Sequence, residues 1–227
     1  MRTLVIYFSA TPIEKQRKTI GDSLLCFKSF LPGEVTLVNV AWLSTTFLLP
    51  KKVDLIIFHY TYLGLKFSHP ERLLKIGERL KTLKGYKIAI PQDEYVNTTY
   101  LNAFFKQNKI DQVFTLFNKK EDWEKVYPFN KSGVKIFNTV LPGYVAKSKK
   151  FRVDKLKPHS QRQIDIGYRA TKNFFWLGQF ALMKWEIAEY FKKRQPSELV
   201  FNISTKVEDT FLGNSWYSFL ENCRVTL

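Results

Sequence analysis

Cysteine is scarce in this chain, and what there is does not cluster. Cys26 and Cys223 lie far apart among 227 residues, with no Cys-x-x-Cys pair and no Cys/His group. That excludes a zinc module and a disulfide framework, and leaves reduced, buried thiols in a cytosolic protein as the expectation. Long apolar runs are missing too, since no stretch reaches the roughly 18 residues that span a bilayer. Residues 1–8 hold a short apolar run without a cleavage-like site, and charges follow from Glu14 to Lys18. They read as a first strand and not as a secretory signal. No short fixed-period repeat is present, which argues against a solenoid. There is also no RNP-type run, zinc finger or helix-turn-helix spacing, so nucleic acid is not an expected partner.

Acidic residues are the minority charge, 20 against 36 Lys and Arg, for a formal net charge of +16. Such a surplus suits phosphate-bearing ligands or anionic lipid headgroups. The basic residues are spread along the chain instead of forming one block. Hydrophobic content of 45% and aromatic content of 16% are ample for a packed core and oppose disorder.

Periodicity alternates between strand and helix. Residues 2–8 (RTLVIYF) are apolar and β-branched, as in a strand buried on both faces. Ile20, Leu24, Phe27 and Leu31 then recur at helical spacing. Residues 35–40 and 53–58 read as strands. Pro70 opens a helix whose apolar face is Leu73, Leu74, Ile76, Leu80 and Leu83, and Gly85 stops it. Residues 86–90 give a fourth strand, 100–107 a helix and 111–116 a fifth strand. This order implies βαβ units and a mostly parallel sheet.

After the Leu141-Pro142-Gly143-Tyr144 turn, residues 147–157 are rich in Lys and Arg without periodicity, as a linker is. A second βα series follows: a strand over 163–167, a helix carrying Leu182, Trp185, Ile187, Ala188 and Phe191, a strand over 199–204, a helix over 215–222 and a strand from 224. The predicted fold class is therefore α/β with two Rossmann-like domains, 1–150 and 151–227. The second is expected to be incomplete, because its last strand has no covering helix.

In open α/β sheets, ligands sit beyond the carboxyl ends of strands. Four such ends are polar here: Ser9 and Thr11, then His59 and Tyr60, then Gln92-Asp93-Glu94-Tyr95, then Tyr168-Arg169. The Ser9-Ala10-Thr11 turn is followed by Pro12 and Ile13, where a flavin phosphate loop would need glycine, so no cofactor is expected. His59 fits either a hydrogen-bonded histidine at a strand end or a general base for a hydroxyl proton. Asp93 and Glu94 fit a helix-start cap or an acceptor-binding and catalytic pair. Arg169, with Lys184 on the next helix, supplies two cations suited to a diphosphate, or else a surface arginine and a snorkelling lysine. His69 and His159 lie beside prolines in loops and read as solvated. No DxD-type metal motif stands out, and Asp165 between isoleucines reads as structural.

HYTYL at 59–63, QDEY at 92–95, IDIGYRA at 164–170 and then Leu177-Gly178, Lys184 and Ile187 occur in an order that resembles certain bacterial glycosyltransferases. These are the GT-B enzymes of the spore-maturation-like and polysaccharide-locus kind, and the ending NSWYSFLENCRVTL is similar as well. The resemblance implies a nucleotide-sugar donor held by the second domain and a saccharide or lipid-linked acceptor held by the first. It places Tyr168, Arg169 and Lys184 at the donor and Ser9, Tyr60, Gln92 and Tyr95 at the acceptor, with His59, Asp93 or Glu94 as catalytic groups. The family's glutamate-bearing ribose segment would fall after Leu227, which implies a donor-incomplete portion. The expected activity is metal-free sugar transfer to a polysaccharide or glycolipid. The alternative is a non-catalytic α/β module whose basic face binds anionic partners. The expected location is cytoplasmic, with peripheral contact at the inner membrane face, where Phe174-Phe175-Trp176 mixes aromatics with nearby bases.

Overall fold

The computed structural model describes residues 1–41, 52–141, 143–144 and 156–227, and of Trp176 the backbone only. Most of the linker expected over 147–157 lies outside the described residues. Two compact units are present, one of Met1–Ile13 with Thr19–Ala146 and one of Glu14–Lys18 with Lys147–Leu227.

The first unit begins with β1 (Arg2–Tyr7), α1 (Lys18–Phe30), β2 (Glu34–Asn39) and β3 (Leu55–Phe58). Two single-turn helices follow, α2 (Tyr60–Leu63) and α3 (Leu65–Ser68), and then α4 (Pro70–Leu80), β4 (Tyr86–Ala89) and α5 (Thr98–Asn108). β5 (Gln112–Thr115), α6 (Lys120–Val126), α7 (Phe129–Ser132) and β6 (Ile136–Thr139) complete it. Its six strands form one parallel sheet in the order β2-β1-β3-β4-β5-β6.

Strand alternation divides the core. Leu4 and Ile6 of β1 point to one face with Ile56, Phe58, Ala89 and Val113, and meet Leu73, Leu80, Leu101, Phe104 and Phe105 from α4 and α5. Val5, Tyr7 and Ile57 point to the other face and meet Leu24 of α1. β1 is thus buried on both sides, as its unbroken apolar run requires. Phe104 stands edge-on to Phe58 and Tyr62, with ring centroids 5.1 and 5.5 Å apart, a favoured aromatic arrangement. α4 and α5 approach closely because Gly77 has no side chain. A Cβ there would lie 2.9 Å from the Phe104 ring and from Asn108 Nδ2.

The second unit contains β7 (Ile164–Arg169), α8 (Gln179–Lys193), β8 (Phe201–Ser204), α9 (Ser215–Asn222) and β9 (Cys223–Thr226). Its three strands are parallel in the order β8-β7-β9. Gly167 lets α9 pack onto β7, since a Cβ there would meet Cys223 Sγ at 2.2 Å and the Phe219 ring at 2.8 Å. Asp165 holds this unit together, accepting from Val200 N–H at 2.8 Å and pairing with Arg224 at 2.5 Å.

Both sheets place their first strand between the second and third. The chain is an α/β protein built of two Rossmann-like parallel sheets. Three details depart from the sequence reading. β6, α6 and α7 were not expected. Asp93 and Glu94 do not cap a helix, because α5 starts at Thr98 with Asn97 at its N-cap position. The short helices α2 and α3 were not expected either, and within α8 Ala188 is the buried residue while Ile187 is exposed.

Candidate functional site

The carboxyl edge of the first sheet gathers most of the expected site residues, but it seals several of them. His59 directly follows β3 and caps α2, its Nδ1 accepting from Thr61 N–H at 3.3 Å and lying 2.9 Å from Thr61 Oγ1. With Nδ1 occupied as an acceptor, Nε2 carries the proton and faces Ser23 Oγ of α1 at 3.2 Å. Burial of this ring pushes its pKa down to about 3, so it stays neutral over the physiological range. The same Ser23 hydroxyl bonds the phenol of Tyr60, whose ring lies 4.0 Å from that of His59. Burial raises the Tyr60 pKa above its ordinary value.

Ser9 ends β1. Its N–H donates to Asn39 Oδ1 at 3.0 Å, its carbonyl accepts from Asn39 Nδ2 at 2.8 Å, and its hydroxyl donates to the Thr11 carbonyl. This brace makes a plain strand-to-helix turn. Neighbouring Phe8 N–H reaches Thr61 Oγ1 at 3.4 Å, which ties the end of β1 to the segment after β3.

The QDEY segment separates into members with different fates. Asp93 has a left-handed backbone, φ 49°, a conformation that aspartate tolerates better than most residues. The turn keeps Asp93 partly exposed and drives Glu94 inward, while Gln92 and Tyr95 stay at the surface. Glu94 accepts from Thr115 Oγ1 at 2.8 and 2.9 Å, from Leu116 N–H at 2.6 Å and from the Tyr127 hydroxyl. Burial nevertheless holds its pKa above the usual carboxylate range and that of Tyr127 well above its own. Opposite stands Lys66 of α3, whose Nζ donates to the Gln92 carbonyl at 3.0 Å and the Asp93 carbonyl at 2.6 Å. Burial lowers the Lys66 pKa to about 8, with Glu94 and Asp93 opposing that shift. His59, Glu94 and Lys66 are each no more than 1% exposed.

The second sheet presents Arg169 at the carboxyl end of its central strand. Nη1 donates to the Tyr168 and Asn202 carbonyls, both at 2.8 Å, Nη2 to Asn202 Oδ1 at 2.6 Å and Nε to the Asp209 carbonyl at 3.1 Å. The guanidinium also stacks on Phe211 and Phe219, 4.6 and 4.7 Å from the ring centroids. Burial lowers its pKa, against the pull of Asp209. Four of its five N–H bonds are committed, so it presents a fixed charge and one further donor. Lys184 lies on the exposed side of α8, and Tyr168 is half-buried within β7.

Sequence reasoning did not single out Ser23, Thr61, Lys66, Thr115 or Tyr127, which supply the partners that decide these environments. Among the described residues no group of three His, Cys, Asp or Glu side chains could hold a metal ion. None of the described helices is long and apolar enough to cross a membrane. No family model, curated protein or solved structure matches the chain.

Proposed function

We propose that this chain is the whole or a donor-incomplete portion of a GT-B-like glycosyltransferase acting on a polysaccharide or glycolipid acceptor. The observation that carries this reading is Arg169, fixed at the carboxyl end of the central strand of a parallel sheet. That edge is where such sheets bind ligands, and a buttressed guanidinium there needs no reorganisation to meet a diphosphate. Lys184 adds a second, solvated cation from the following helix. In the transfer, an acceptor hydroxyl oxygen bonds the anomeric carbon and the bond from that carbon to the diphosphate breaks. The diphosphate leaves with the electron pair, and cationic side chains meet its charge.

The acceptor proton needs a base that can be reached. His59 has its one acceptor nitrogen engaged, and Glu94 is sealed by three donors, so both act as positioning groups in this reading. Asp93, partly exposed beside Tyr95, is the carboxylate that takes the proton.

The test is calorimetric titration of the protein with uridine, guanosine, cytidine and thymidine diphosphates. Lys184→Ala, at an exposed position, and Arg169→Lys, which keeps the charge but loses the bonds that fix it in place, are compared with the parent. Binding of one nucleotide, weakened about tenfold or more by Arg169→Lys, is the expected result. No binding of any nucleotide, or unchanged affinity in both variants, rejects the donor assignment.

The sealing of His59 and Glu94 favours a second reading, a non-catalytic α/β module that binds anionic partners through its basic surface. Nucleotide binding without transfer or hydrolysis of the matching nucleotide sugar would select that alternative.

A further inference from the structure

α8 carries an apolar stripe on its outward face. Phe180, Met183, Ile187 and Tyr190 recur at i, i+3, i+7 and i+10, and are 85, 48, 41 and 54% exposed. At 100° per residue these four fall on one side of the helix, within about 80° of one another, and the buried Ala188 lies about 120° round from their centre. A soluble helix ordinarily turns such a row inward, so a continuous outward row signals a surface that meets something.

The surrounding charge indicates what that is. Between residues 172 and 194 there are five basic residues and two acidic ones. Lys184 and Lys193 flank the stripe on its two sides, and Arg194 stacks on Tyr190 with its guanidinium carbon 3.9 Å from the ring centroid. Glu189 is neutralised by Lys192 at 2.5 Å, which leaves Glu186 as the acidic group on this face. The exposed Phe174 and Phe175 immediately precede the helix. Apolar residues along the centre with cations at the borders match the boundary between acyl chains and anionic headgroups. A second copy of the same face fits poorly, because an isologous pairing brings like-charged borders together.

We infer that α8 docks the second unit flat onto an anionic lipid surface, with Phe180 and Ile187 entering the headgroup–acyl boundary and Lys184, Lys193 and Arg194 meeting lipid phosphates. This surface shares Lys184 with the proposed donor site and nothing else, so variants that leave Lys184 in place keep loss of lipid binding and loss of nucleotide binding as separate results.

The experiment is flotation of the full chain with vesicles of phosphatidylcholine, with and without equimolar phosphatidylglycerol. The protein floats with the anionic vesicles, stays behind with the neutral ones, and is released as salt rises to about 1 M, where screening acts within about 3 Å. Phe180→Ser with Ile187→Ser lowers partitioning by about tenfold or more, and Lys193→Glu with Arg194→Glu by at least about fivefold per site. Thermal melts of both variants match the parent, since every replaced side chain is exposed. Equal flotation with neutral and anionic vesicles, or flotation unaffected by these substitutions, overturns the proposal. A dimer in sedimentation velocity that Phe180→Ser with Ile187→Ser dissolves overturns it in favour of self-association.

Discussion

The two parallel sheets share a topology and differ in what their carboxyl edges do with charge. In the first unit, His59, Lys66 and Glu94 are withdrawn from water and satisfied by Ser23, Thr61, Thr115, Tyr127 and backbone carbonyls. In the second, Arg169 is held by backbone oxygens and two aromatic rings but keeps part of its surface in water. The difference follows from core size. The first sheet has helices packed over both faces, whereas the described part of the second unit has four buried residues, Gly167, Ala188, Phe219 and Cys223. A large core can enclose ionisable groups and use them as braces. A small one leaves them near solvent, where they can meet a ligand. Strand order thus marks where a site can form, and burial decides which groups there remain chemically available.

The largest expected effect breaks the sealed edge. Glu94→Ala leaves Tyr127, Thr115 and the Leu116 N–H without their acceptor and Lys66 without its nearby carboxylate. It should destabilise the first unit by about 3 to 5 kcal/mol, read from chemical denaturation. A loss below about 1 kcal/mol would mean that the network contributes little. Gly167→Ala probes the other unit. Its new Cβ collides with Cys223 Sγ and Phe219, at an expected cost of about 1 to 3 kcal/mol. Hydrogen exchange should quicken in β7, β8 and β9 while β1 and β3 keep their protection, and a uniform response would contradict the division into two units.

A pH titration gives the third contrast. His59 is neutral when folded and has its pKa lowered to about 3 from an ordinary 6.5. The unfolded chain therefore binds more protons between those values, and stability falls as pH drops through that window. The slope from this group approaches about 1.4 kcal/mol per pH unit, and His59→Gln should remove it. An unchanged slope in that variant would place the acid sensitivity elsewhere.

Much of the fold was legible because buried parallel strands announce themselves. The apolar runs at 2–8 and 53–58 and the helix face opened by Pro70 needed no tertiary information. β6 escaped notice because Ile136–Thr139 is a short edge strand with little burial. α6 is mostly charged and buries nothing, so no apolar period marks it. The site was legible as positions and not as environments. Asp93 and Glu94 look equivalent in sequence, yet one left-handed residue turns the first outward and the second inward. Lys66 carries no mark in the sequence, because the carbonyls it serves lie 26 and 27 residues further along the chain. Long-range partners of this kind leave no local signal.

The measurement that bears most directly on the account is an amide-resolved NMR titration of the chain with the four nucleoside diphosphates. If the second sheet's edge is a donor site, one nucleotide should shift the resonances of Tyr168, Arg169 and Ala170 saturably, leaving those around Glu94 unmoved. Shifts confined to the first unit, or none with any nucleotide at millimolar concentration, would contradict it.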